Sequence, residues 1–97
     1  MGMLAEHADY VIGVDTHRDA HSAAVIATRT GAVAAQTTVA ADAFGYKRLL
    51  RFARRHARGR RVWAIESSGS FGAGLTMFLL AQGEWVPRPC HTRRRWR

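Results

Sequence analysis

A single cysteine, Cys90, leaves no partner for an internal disulfide, so packing alone must hold the fold, as suits a reducing compartment. No hydrophobic run approaches the roughly 20 residues that span a bilayer. The opening MGMLAEHADY has no basic stretch leading into an apolar one, so a signal peptide is not expected either. A cytoplasmic protein fits these absences. Acid is the scarcer charge: 7 Asp plus Glu stand against 15 Lys plus Arg, a formal net charge of +8. That imbalance favours a polyanionic partner, because cations gain affinity by displacing the counterions condensed on phosphate. Arginine bias with abundant alanine is also what a GC-rich gene produces, so charge alone leaves both accounts open.

The chain has 97 residues, 47% of them apolar and 23% charged, a composition for one small globular domain. Residues 1–8 read as a flexible leader. Tyr10 to Asp15 is a short apolar run ending in an acid, as in a strand buried on both faces. His21 to Thr28 and Ala32 to Ala40 follow as two more strands, separated by the turn residues Thr30 and Gly31. The period then changes. Asp42 is a candidate N-cap, Tyr46, Leu49, Leu50, Ala53 and Ala57 form one helical stripe, and Gly59 would end the helix. Val62 to Glu66 is a fourth strand, again ending in an acid. Ser67, Ser68 and Ser70 offer caps for a second, more apolar helix that Gly83 closes, and Glu84 to Val86 would begin a further strand. At Pro87 the pattern gives way to PRPCHTRRRWR, an aperiodic basic tail over 87–97. The order β-β-β-α-β-α predicts an α/β fold, RNase H-like with a mixed sheet, over 9–86.

In that topology the fourth strand lies beside the first and parallel to it, so Asp15 and Glu66 project at one edge of the sheet, where open α/β sheets place their sites. Neighbouring carboxylates repel. Mg²⁺ relieves the repulsion, takes oxygen ligands, and supplies an electrophile for phosphodiester chemistry. Singly, either acid reads better as an exposed cap; the pair at equivalent strand ends is what points to a site. His17 and His21 lack a third ligand nearby and read as solvent-exposed. Cys90 receives no role, and the serines lack a base to activate them as nucleophiles. Between Lys47 and Arg61 eight bases occur with no acid, which makes Lys47, Arg51, Arg54, Arg55 and Arg58 candidate phosphate contacts.

The segments VIGVDTHRDAHSAAVI, TGAV, GYKRLLRFARRH and VWAIESSGSFGAGLTMFLLAQGEWV, spanning Tyr10 to Val86, resemble the N-terminal domain of the DEDD transposases. These are insertion-sequence recombinases with a RuvC-like nuclease domain, guided by a structured bridge RNA. The resemblance implies that Asp15 and Glu66 are the first two acids of the metal site. It also implies metal-dependent DNA strand chemistry, a basic surface serving DNA or guide RNA, and a dimer or higher assembly.

After the GEWV segment the likeness stops. No acid follows Glu84, so the family's third and fourth carboxylates have no counterpart, nor does its serine-bearing C-terminal domain. The expectation is a truncated or frameshifted fragment, incomplete at its C-terminus, that binds Mg²⁺ weakly, is inert alone and leaves an apolar helix face uncovered. Two other readings compete. An actin-like ATPase needs a Gly-rich hairpin after the first acid, where Thr16-His17-Arg18-Asp19 is bulky. A small basic module that binds nucleic acid and modulates a full-length transposase is favoured by the basic helix and the arginine tail, with Trp96 available to stack.

Overall fold

In the computed structural model, which describes residues 8–66 and 71–87, four strands and two helices form an α/β fold around one mixed sheet. The strands are β1 (Tyr10–Thr16), β2 (Ala20–Ala27), β3 (Val33–Ala40) and β4 (Arg61–Glu66), and the helices are α1 (Ala43–His56) and α2 (Ala73–Ala81). The sheet order is β3-β2-β1-β4. β1, β2 and β3 form an antiparallel meander, and β4 joins β1 in parallel.

Alternation decides which side chains go inward. Ile12 and Val14 on β1, Ala23 and Val25 on β2, Val39 on β3, and Trp63 and Ile65 on β4 share the inner face. Leu49, Leu50 and Ala53 of α1 and Leu75 and Leu79 of α2 cover that face and complete the core. α1 starts where the Asp42 carboxylate accepts the Gly45 amide at 2.8 Å, a cap that satisfies one otherwise orphaned donor. α2 stops at Gly83, whose φ of 80° lets the Gly83 and Glu84 amides turn back onto Leu80 and Leu79.

Several expectations need correction. β1 is not buried on both faces: Asp15 is exposed, and among the described residues no helix covers the outer side. Val11 and Gly13, the uncharged residues at its outward positions, made the run look doubly buried. α1 ends at His56 with Ala57 as its cap, ahead of Gly59, because the chain must turn early to bring Arg60 onto Asp9. α2 is capped by Gly72 with no side-chain acceptor, so the N-cap position is not a serine. Glu84 to Val86 contributes one parallel bridge, Val62 with Trp85, rather than a strand. Ala8 is no leader residue: it is buried, and its carbonyl accepts the Thr28 hydroxyl at 2.8 Å. The remaining leader, the three serines, Cys90 and nearly all of the basic tail lie outside the described residues.

A polar network ties the chain after α2 to β4. The Arg61 guanidinium donates Nε to Glu84 Oε1 and Nη2 to Oε2, both at 2.8 Å, and the Trp63 indole N–H donates to Oε1 at 2.8 Å. Burial alone would raise the Glu84 pKa. The Arg61 and Trp63 hydrogen bonds outweigh it and hold the carboxyl below its ordinary 4.5. One of the eight bases counted in the sequence is therefore structural.

Candidate functional site

β1 and β4 run parallel with Asp15 directly opposite Glu66. Paired residues in adjacent strands share a face at a spacing of about 4.8 Å, so both carboxylates stand on the outer face at the carboxyl end of the sheet. Both residues are exposed. A hydrogen bond from the Thr16 hydroxyl to the Glu66 carbonyl, 3.0 Å long, clamps the two strand ends together. Thr16 faces inward and is buried, so the clamp works from behind the carboxylates. Asp15 Oδ2 accepts from His17 Nε2 at 3.2 Å, while no described side chain pairs with the Glu66 carboxylate.

The same register extends the site across the sheet. Asp15 lies opposite Ser22, and Ser22 lies opposite Thr38, with the two hydroxyls 3.3 Å apart. Glu66, Asp15, Ser22 and Thr38 thus make one polar row over four strands. Behind it lie Ala64, Gly13 and Ala24, a floor with almost no side-chain height, closed on the far side by Gln36. The result is an open groove of about 800 Å³ along the outer face. A phosphate-bearing chain can lie close to such a floor, with acids at one end and neutral hydroxyls along the row.

Ser22, Gln36 and Thr38 were missed in the sequence. The short turn at Arg18-Asp19 sets the β1–β2 register and was a usable signal for Ser22. Thr38 depends on a second register and was less accessible.

The oxygen donors suit a hard divalent ion in type and position. They are two ligands, however, and among the described residues no group of three or more metal-binding side chains occurs. Asp15 and Glu66 would hold Mg²⁺ with most of its octahedron left to water or other ligands.

The five basic candidates are not brought to the carboxylates. Lys47, Arg51, Arg54 and Arg55 are exposed on α1, Arg58 is exposed just beyond it, and α1 lies on the opposite side of the sheet. Arg48, absent from the sequence-based set, joins them.

His21 contradicts its expected exposure: it is fully buried, because its parity on β2 places it inward with Ala23 and Val25. Its Nδ1 donates to the Ala20 carbonyl at 3.1 Å, and Nε2 has no partner. The ring stacks on Tyr46 at 6.0 Å. Burial pushes its pKa below 6.5, against the Ala20 hydrogen bond, which raises it; nearby His17 lowers it further. His17 stays exposed as expected.

No protein-family model matches the chain, and no curated protein matches it.

Proposed function

We propose that this chain is a nucleic-acid-processing domain of RNase H-like type, the N-terminal part of a transposase of the DEDD kind, acting in DNA transposition by metal-dependent strand chemistry. The observation that carries the reading is the in-register pair of exposed carboxylates, Asp15 and Glu66, at the carboxyl ends of adjacent parallel strands. A bound Mg²⁺ would supply an electrophile for a phosphodiester oxygen. The chain's own residues do the rest of the work. Thr16 fixes the two strand ends. The low floor of Gly13, Ala24 and Ala64 admits a backbone, and Ser22 and Thr38 offer hydroxyls to it. His17 holds the Asp15 carboxylate in place.

Two carboxylates make half of a four-acid site, and no acid follows Glu84 in the sequence. The 97-residue chain alone is therefore expected not to cleave DNA and to bind Mg²⁺ weakly. Paramagnetic broadening of amide NMR signals by Mn²⁺ tests the site without relying on activity. Broadening centred on Asp15, Glu66 and Ser22, lost in Asp15→Asn, supports the assignment; broadening elsewhere sinks it. DNA cleavage by the purified chain that disappears in Asp15→Ala would refute the inertness.

A second reading, a small basic module that binds nucleic acid and modulates a full-length transposase, is favoured by the exposed cations of α1. Retained nucleic-acid binding by a chain with no metal affinity would select it.

A further inference from the structure

We infer that the groove between α1 and β3 is a second nucleic-acid site, separate from the carboxylates, that takes a single-stranded segment. Its phosphates lie on Arg48, Arg51 and Arg55, with an unstacked base against Phe52 and His56. These residues recur at i, i+3, i+4, i+7 and i+8, so they share one face of α1. With Thr37 and Val39 of β3 they line a concavity of about 280 Å³. Phe52 and His56 have ring centroids 4.8 Å apart, tilted by 49°. Phe52 is half-buried and anchored on the core, while His56 is exposed, so the pair is a fixed ring beside an accessible one.

The electrostatics call for a polyanion. Every helical neighbour of Arg51 (Lys47, Arg48, Arg54, Arg55) is basic, and like charges at these spacings oppose the helix. Among the described residues none of Arg48, Arg51 or Arg55 has an acid partner; the ion pairs there are Asp15 with His17, Arg18 with Asp19, and Arg61 with Glu84. Arg51 also lines the neighbouring groove with Lys47, Arg54, Phe78 and Gln82, so a strand can continue from one to the other. The aromatic pair chooses between occupants. A duplex keeps its bases stacked inside and needs only the arginines, as would an acidic peptide. A single strand exposes base faces that stack on aromatic rings.

The test is fluorescence anisotropy with the full-length chain in EDTA, which removes any contribution from metal at Asp15 and Glu66. Arg93, Arg94, Arg95 and Arg97 are replaced by Ser so that the tail does not contribute. Probes are oligo-dT and oligo-U of about 12 nucleotides, a duplex of equal length, and polyglutamate as competitor. Single strands are expected to bind tighter than duplex. His56→Ala, at an exposed position, weakens single-strand binding about tenfold and leaves duplex binding unchanged. Phe52→Leu, which keeps an apolar anchor, does the same. Arg48→Ala and Arg55→Ala each lower the slope of log affinity against log salt by about 1. Comparison of oligo-dT with oligo-U shows whether the strand is DNA or RNA. Duplex binding as tight as single-strand binding, indifference to His56→Ala, loss of all binding with the tail substitutions, or equal competition by polyglutamate would each overturn the inference.

Discussion

His21 has one ring nitrogen satisfied by Ala20 and the other buried without a partner. Its pKa is lowered in the folded state, so between 6.5 and that lower value the unfolded chain binds more protons than the folded one. Stability is therefore complete above pH 6.5 and is lost as pH falls through that window, at no more than about 1.4 kcal/mol per pH unit for one group. Urea midpoints between pH 8 and 5 should show this decline, and His21→Leu should flatten it without loss at pH 8. A decline that survives the substitution assigns it elsewhere. Glu84 is the acid-side counterpart. Its depressed pKa gives stability that is present above 4.5 and disappears as pH falls through the folded value. Glu84→Ala strands both Arg61 and the Trp63 indole, and breaking a pair exposed by only 16% and 8% is expected to cost about 3 kcal/mol. In a domain of this size that approaches the whole stability, so denaturation would report it clearly. Asp15 and Glu66 were legible because strand-ending acids are visible in the pattern. The burial of His21 was readable too, from its parity with Ala23 and Val25, but its polar identity argued the other way. The commitment of Arg61 to Glu84 was not readable, since the two lie 23 positions apart.

α1 carries one conflict near its start and another along its middle. A Cβ at Gly45 would overlap the Ala40 carbonyl oxygen, where the end of β3 crosses the helix start. Gly45→Ala improves helix propensity by about 1 kcal/mol. The carbonyl cannot yield without shifting β3, and overpacking of this kind costs about 1–3 kcal/mol or more. A lower thermal midpoint is expected; an unchanged one would show that the junction gives way freely. Further along, Arg51→Glu replaces four like-charge neighbours with four attractions worth about 0.2–0.5 kcal/mol each. The variant should melt higher at low salt, with the gain shrinking as salt rises, while its affinity for oligonucleotide falls. Stability and affinity moving together would contradict a helix kept basic for a ligand. Both helices were legible from their 3.6-residue period and from Asp42 and Gly83. The cap of α2 was not, because Gly72 gives no chemical signature of an N-cap beside three serines.

Over the molecule as a whole, the apolar surface is unevenly distributed. Two helices fill the inner face of the sheet, while among the described residues no helix covers the outer face, and Met77 and Leu80 on α2 are 69% and 51% exposed. Apolar groups in that density on a small domain favour self-association. Sedimentation should show concentration-dependent assembly that Met77→Lys with Leu80→Lys shifts towards monomer; a monomer at all concentrations would refute it. The mixed sheet was legible as a meander followed by a helical crossover. Its open side was not, because Gly13, Ala24 and Ala64 are small and apolar whether they face a helix or a groove.

Thr16 and Glu66, the residues that clamp the two carboxylate-bearing strands, lie 50 positions apart. The β1–β2–β3 meander closes through short turns, whereas the chain from β3 must cross over β2 and β1 to place β4 at the far edge beside β1. Long loops close at greater entropic cost, so non-local pairings form late. As the chain leaves the ribosome, the meander and α1 can organise while Asp15 still lacks Glu66 beside it. The acid pair comes into being with the last strand to dock, and the basic helix is complete before it. On the reading proposed above, a nascent chain would gain its nucleic-acid surface before the two acids that would hold a metal are brought together.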